Sequence, residues 1–460
     1  MDPQRAELLA KGYVICRGVI PPAWLDKLRV SYEKLIRKYR DAACESIGGG
    51  ESWWNDSRQP RLHLSYPEAE QGAVGCGSLI DEETAACVDY WCHPSFHGLS
   101  SRLLGVDDAA VADMMLMCSA REEHGPAHWH RDFYPPRCAP LDSYKGDLEK
   151  HGPRYVQWNL ALYDDDVLWV IPGTHTAAAS SAQDAALRAN GVGAGRGDCA
   201  VPIEGGIQVQ LRAGDGVAYC SPAILHWGSN YSPKLRRTIH GGFSVGGYNS
   251  ELFFLSSVSP YARGCFERWS ARQARLIDKQ EQLLRDVMNG RIQSAEDYGR
   301  RLANLVPSHG STMEGRRHTA ILLSKAARRI YFSSHPDLIA QPTPNDPPGG
   351  SPSLEAQYSC VVGDAKWMHT MLQPGRALYR RFTAEEADIL WAAYQRIDAD
   401  LQRPESDIAA HCTPPAPRPH AHLNWEPGFQ GGPTTYLFHA LPAGDQWFVP
   451  SLTKETGARL

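Results

Sequence analysis

The sequence of 460 residues is 42% hydrophobic and 22% charged, which excludes a disordered chain and allows a sizeable core. A net charge of −5 gives no electrostatic ground for nucleic acid or an anionic membrane as partner. The 12 Cys form no C-x-x-C pair, the N-terminus lacks an apolar leader and no run of 18 apolar residues occurs, so reduced thiols, no membrane span and a cytoplasmic location are expected.

Arg5–Leu9 reads as a short helix ended by Gly12. The apolar run Tyr13–Cys16 follows and is broken at Gly18 and Pro21-Pro22. Leu25, Leu28, Tyr32, Leu35, Ile36 and Tyr39 recur at helical spacing, predicting an amphipathic helix over Trp24–Tyr39 that packs on something flat. Asp81–Trp91 reads as a further helix with acidic residues in its first turn. From Met114 to Phe243 short apolar runs alternate with Gly, Pro and Asp turns. They are Met114–Cys118, Ala127–Tyr134, Tyr155–Tyr163, Val167–Ile171, Gln208–Leu211, Val217–Cys220, Leu225–Trp227 and Thr238–Ser244. Short strands at regular spacing predict a β-sandwich or barrel. An Ala/Gly/Ser-rich insertion interrupts them at about residues 177–200.

After about Pro260 the pattern becomes helical, at Phe266–Met288, Ala295–Leu305, Met313–Phe332 and Thr383–Leu401. Thr383 and Glu386 form a capping-box signature for the last helix. Two units are therefore expected: a β-rich unit over 1–260 and a mainly helical extension over 261–460 packed on it. The apolar stripes of the extension need a surface, either the mouth or flank of the β core or a second copy of the chain in a homodimer.

Within the β-rich part lies His130-Arg131-Asp132. On an extended strand residues i and i+2 share a face, so one cation could bind both His130 and Asp132. One His and one carboxylate are two-thirds of the 2-His-1-carboxylate set of non-heme Fe(II) oxygenases. His226 is the best third ligand, since it follows only after several intervening strands. A rival tripeptide, His335-Pro336-Asp337 with His369 and Arg380, is disfavoured: Pro336 removes a ladder donor and the gap is too short for such strands. Cys87, Cys92, His93 and His97 lie close together in sequence, and a buried thiol cluster is preferred there over zinc. His420-x-His422 follows a Pro-rich loop with no visible partner.

Several segments, in this order, resemble the phytanoyl-CoA dioxygenase family of Fe(II)/2-oxoglutarate oxygenases. They are Gly12-Tyr13-Val14-Ile15 with Gly18-Val19-Ile20, then Trp129-His130-Arg131-Asp132-Phe133, and Gln157-Trp158 followed by an acidic turn. Ile171-Pro172-Gly173-Thr174-His175, Ala213-Gly214-Asp215 and His226…Asn230…Arg236 complete the set, which spans about residues 6–246. The resemblance implies a double-stranded β-helix, or jelly roll, with flanking helices. It implies Fe(II) on His130, Asp132 and His226, with 2-oxoglutarate and O2 taking the open positions, and release of succinate and CO2. Arg236, with Thr238, would hold the distal carboxylate of 2-oxoglutarate, because Arg236 lies six residues after Asn230 as in the family. Counting from His226 favours Arg237 instead, and the two point to opposite faces of a strand. Trp158 is a candidate for lining the cosubstrate pocket, and His128 shares the face of His130 and Asp132. Halogenating members lack the carboxylate that Asp132 supplies, so hydroxylation of a small or medium organic substrate is implied. The alternatives are a cupin-like metalloenzyme without 2-oxoglutarate and a metal-bound small-molecule sensor.

Overall fold

The computed structural model describes residues 2–46, 61–65, 76–118, 152–183, 202–248 (except 222 and 229–234), 251–294 and 381–401, with isolated positions between, Trp129 and Arg131 among them. Among these residues nine strands form two antiparallel sheets. In chain order they are β1 (Tyr13–Cys16), β2 (Arg61–His63), β3 (Ala110–Cys118), β4 (Tyr155–Ala161), β5 (Leu168–Val170), β6 (Ile207–Gln208), β7 (Gly216–Tyr219), β8 (His226–Gly228) and β9 (Arg237–Ser244). The larger sheet runs β1-β7-β4-β9-β3-β2 and the smaller β6-β5-β8. This is the jelly-roll architecture with flanking helices, in which distant strands are neighbours: β4 pairs with β9, and β1 with β7.

Alternation along the strands separates two cores. Val14, Cys16, Leu116, Val156, Trp158, Leu160, Ala218, Ile239 and Phe243 face a layer of helices. Tyr13, Ala161, Val217 and Tyr219 face the smaller sheet, where Leu168, Val170, Val209, Leu211 and Ile224 meet them.

The helical layer begins with α1 (Pro3–Lys11). Asp2 caps it by accepting from the backbone N–H of Gln4 and Arg5 at 2.8 and 3.2 Å, and Pro3 occupies the first turn where no N–H is needed. Gly12 ends it at φ +82°, and a Cβ there would sit 2.6 Å from His175 Nδ1, so glycine is required by both backbone and space. Helix α2 (Pro22–Ser46) buries Leu28, Tyr32, Leu35, Ile36 and Tyr39, the stripe legible in the sequence.

The helix expected over Asp81–Trp91 is instead one α-turn, Ala86–Asp89, followed by a 3-10 turn, Tyr90–Cys92, and a wide turn, Pro94–Gly98. Tyr90, Trp91 and Cys92 are consecutive and all buried. A regular surface helix buries one stripe and cannot bury three successive residues. Helix α3 (Leu99–Leu104) then leads into β3, which starts four residues earlier than expected because a bulge between Val111 and Asp113 carries the strand past a polar residue.

Helix α4 (Pro260–Met288) docks on the flank of the larger sheet. Its Arg268 makes two bonds of 2.9 Å to Asp108, and the indole N–H of Trp269 donates to the same carboxylate at 3.0 Å. Phe266 and Trp269 are fully buried, beside Tyr248, Phe254 and His97. Helix α5 (Ala384–Leu401) lies on α4 through Arg285–Glu386 at 2.8 Å, and Arg381 reaches Asp278 and Glu281. Its capping box is formed: Glu386 N–H donates to Thr383 Oγ1 at 3.2 Å and Thr383 N–H to Glu386 Oε2 at 2.9 Å. Ala295–Leu305 and Met313–Phe332 fall largely outside the described residues. No described helix is long and apolar enough to cross a membrane.

Candidate functional site

β8 owes its place to the turn before it. Thr174 Oγ1 donates to Ile171 O at 2.7 Å and accepts from Leu225 N–H at 2.9 Å, while Ile171 N–H donates to Leu225 O at 2.9 Å. The Pro172-Gly173-Thr174-His175 turn thus clamps the end of β5 to the start of β8. His175 is not a ligand of anything at the site: its Nε2 meets Leu9 O at 3.0 Å and ties the turn to α1. Burial lowers its pKa.

His226 opens β8, opposite Val170 of β5, and its side chain faces the space between the sheets, 5.3 Å from the ring of Tyr219. Its Nδ1 lies 3.0 Å from Ile224 O. A carbonyl only accepts, so Nδ1 is the donor in this contact. A bond from the other ring nitrogen to a backbone carbonyl is the second-sphere arrangement of metal-ligating histidines.

His130 and Asp132 lie outside the described residues, as does His128. Their neighbours do not. Trp129 stacks on Trp227 at 5.4 Å between ring centroids, and both are fully buried. Arg131, 1% exposed, donates to the carbonyl oxygens of Thr174 and Ala223, and to Ala177 O at 3.1 Å. The two residues flanking His130 are therefore attached to the chain immediately before and after His226.

The structure separates Arg236 from Arg237. Arg236 turns toward the smaller sheet and its Nε meets Asp165 Oδ2 at 3.2 Å; both side chains are 5% exposed. Thr238 shares that face and donates its hydroxyl to the same oxygen. Arg237 turns the other way, donating to Glu33 of α2 at 2.7 Å and to the carbonyl of Arg236 at 2.9 Å. Its expected alternative role as cosubstrate anchor is corrected: period-two alternation puts it among the helices. Trp158 is corrected for the same reason. It lies on the helix-facing side of β4, 5.4 Å from Phe96 in a T-shaped contact, and lines no part of the inner face.

Further polar residues stand on the inner face beside His226, among them Tyr155, Gln157 and Asn159. Gln157 Nε2 donates to Tyr219 OH at 2.7 Å, and its Oε1 accepts from Tyr155 OH and Ser221 Oγ, each at 3.0 Å. The ring of Tyr155 lies against Gly242, where a Cβ would collide with it. Asn159 Oδ1 meets His240 Nδ1 at 2.6 Å. Tyr155, Gln157 and Asn159 alternate in β4, so the signal was parity: once Trp158 faces out, its neighbours face in.

The other sequence candidates resolve differently. Cys87 and Cys92 are buried, His93 Nδ1 meets Ser95 Oγ at 2.8 Å, and His97 Nε2 meets Ala109 O at 3.0 Å. No group of three His, Cys, Asp or Glu suited to a metal occurs among the described residues. His335, Asp337, His369, Arg380, His420 and His422 lie outside them. The donor chemistry that is described fits Fe(II) and a dicarboxylate: an oriented histidine nitrogen on the inner face, with Arg236 and Thr238 sharing that interior.

The sequence model of the phytanoyl-CoA dioxygenase (PhyH) family matches residues 9–238. Among solved structures, the chain is similar to EctD from S. alaskensis, determined with 2-oxoglutarate and 5-hydroxyectoine. There the identity is 14% over 57% of this chain and 83% of that one, with a TM-score of 0.35. It is similar to the non-heme α-ketoglutarate-dependent epimerase SnoN from nogalamycin biosynthesis, at 16% identity over 52% and 80%, with a TM-score of 0.33. HygX from Streptomyces hygroscopicus, with nickel and 2-oxoglutarate bound, is 12% identical over 53% and 87%, with a TM-score of 0.35. Comparison with curated protein sequences gives no match.

Proposed function

The chain belongs to the phytanoyl-CoA dioxygenase family, and from that premise we propose that it is an Fe(II)- and 2-oxoglutarate-dependent oxygenase that hydroxylates a small or medium organic substrate. His130, Asp132 and His226 would hold the iron, and Arg236 with Thr238 would hold the distal carboxylate of 2-oxoglutarate. The bound metal and cosubstrate supply an oxidant at the expense of 2-oxoglutarate and O2, with release of succinate and CO2.

The observation that carries this reading is the inner face itself. His226 has its Nδ1 proton committed to Ile224 O, which leaves Nε2 as the donor to a metal, and Arg236 and Thr238 stand on the same interior. The chain's own contribution is orientation. Thr174 and Arg131 fix the turn that carries His226, and Gln157 holds the Tyr155, Tyr219 and Ser221 hydroxyls in one network beside it. Those hydroxyls give polar groups of a bound ligand fixed partners, and the apolar end of the interior at Val170, Leu211 and Val217 excludes water.

Hydroxylation is preferred over halogenation because Asp132 is present in the sequence and would fill the position a halide needs. Structures of related architecture include an epimerase and a hydroxyectoine-bound protein, so a panel should span both outcomes. The test is a succinate-release screen of Fe(II)-loaded protein against amino acids, acyl thioesters and natural-product scaffolds. Succinate formation that depends on iron, 2-oxoglutarate and one substrate class supports the reading. Turnover that ignores 2-oxoglutarate supports the cupin-like alternative, and metal binding without any turnover supports the sensor.

A further inference from the structure

Each arginine at the start of β9 has an acidic partner. Arg237 is matched by Glu33 on the helix side, and Arg236 by Asp165 on the inner side. The second pair sits where the proposed cosubstrate must bind. Asp165 Oδ2 accepts from Arg236 Nε at 3.2 Å and from the Thr238 hydroxyl, the two donors a distal carboxylate requires. Chemically the occupant is the same: Asp165 presents a CH2–carboxylate, which is the terminal group of 2-oxoglutarate.

Asp165 is firmly held from behind. Its backbone makes a two-way bridge with Leu211 at 3.0 and 2.9 Å, and its Oδ1 accepts from Val167 N–H at 2.9 Å. Asp164 ties the same turn to Ala213 N–H at 2.9 Å. The carboxylate can therefore leave Arg236 only by side-chain rotation, with the turn staying in place. With both partners 5% exposed, the pair is a neutral buried unit. A dianion entering beside it would meet no net positive charge from Arg236, and carboxylates sharing one cation repel.

Resting on the reading of Arg236 as cosubstrate anchor, we propose that Asp165 is an internal competitor for that anchor. It mimics the distal carboxylate, must be displaced when 2-oxoglutarate binds, and sets the cosubstrate concentration at which the protein responds. In the meantime Asp165 supplies the counter-charge of Arg236 and accepts from Thr238, so the buried guanidinium is charge-compensated before the cosubstrate arrives.

The experiment is anaerobic calorimetry of the Fe(II)-loaded full chain with two probes. One is 2-oxoglutarate. The other is 2-oxobutyrate, which has the same chelating end and no distal carboxylate. Wild type, Asp165→Asn and Asp165→Ala are compared, with circular dichroism to establish that each variant is folded. The expected result is 2-oxoglutarate binding about tenfold tighter or more in both variants, with 2-oxobutyrate affinity unchanged. Weaker 2-oxoglutarate binding by folded variants overturns the proposal and makes Asp165 a positioning group for Arg236. If wild type and both variants all fail to bind 2-oxoglutarate, the cosubstrate reading fails, and this proposal with it. If all three bind it equally, only this proposal fails.

Discussion

Arg131 donates to the backbone carbonyl of Ala223, three residues before His226. It also reaches the carbonyls of Thr174 and Ala177 and is 1% exposed. The residue between two proposed iron ligands is thereby bonded to the turn that carries the third. A guanidinium suits this task because its donors fan out in one plane and it never loses its charge.

Arg131→Ala should therefore loosen the geometry of the metal site even though Arg131 touches no metal in the account. Outer-sphere partners of metal ligands typically contribute about 10–100-fold to affinity, and a loss of that size is expected for Fe(II). Arg131→Lys, with a single donor head, should recover only part of it. Metal titration of the folded variants checks this; wild-type iron affinity in Arg131→Ala would detach the residue from the site.

Arg236 and Arg237 should fail in different ways. Arg236→Ala should raise the 2-oxoglutarate requirement strongly. Arg237→Ala removes a largely buried ion pair with Glu33, whose side chain is 12% exposed, and should destabilise the fold by about 3–5 kcal/mol. Its 2-oxoglutarate affinity should stay near wild type at temperatures where it is folded. Paired denaturation curves and cosubstrate titrations separate the roles, and a cosubstrate defect confined to Arg237→Ala would reverse the assignment.

Residue type, order and spacing nominate His226, Arg236 and Thr238 in the sequence, and the structure puts all three on the inner face. Trp158 was misplaced and Arg237 left open because each needs one further fact: which way a strand faces. That parity is set by long-range pairing, such as β4 against β9, and a single strand in sequence does not reveal it. The inward facing of Gln157, named only within the Gln157-Trp158 segment, depends on the same fact. In sequence Asp165 belongs to an acidic turn, and its partner Arg236 lies 71 positions away. The expected helix over Asp81–Trp91 failed because tertiary burial of Tyr90, Trp91 and Cys92 overrode local preference.

Asp108 links the start of β3 to α4 and should make that docking acid-sensitive. Burial alone would raise its pKa, but the hydrogen bonds from Arg268 and Trp269 and the nearby charges of Arg268 and Arg272 prevail and hold it at about 2. The unfolded value is about 3.9. A depressed folded pKa contributes stability that is full above the unfolded value and lost as pH falls through the folded one. Asp108→Asn should thus be less stable than wild type at pH 7, with the gap closing between about pH 4 and pH 2. Urea unfolding across that range gives the comparison; a gap independent of pH would contradict it.

Ending the chain after Ser259 would strip α4 from the flank of the larger sheet. Phe266 and Trp269 are fully buried there, each worth roughly 1.5–3 kcal/mol of transfer free energy, and Tyr248 and Phe254 would be exposed in their place. Insolubility or loss of substrate turnover is expected. A truncated protein that stays soluble and fully active would make the extension an independent module.

His226 is proposed to complete an iron site serving 2-oxoglutarate chemistry. The direct measurement is bound iron together with 2-oxoglutarate-dependent succinate formation, in wild type and in His226→Ala. One iron per chain and iron-dependent succinate are expected in wild type, with both lost in the folded variant, because two remaining ligands hold a labile divalent ion poorly. Stoichiometric iron and undiminished succinate formation in His226→Ala would contradict it.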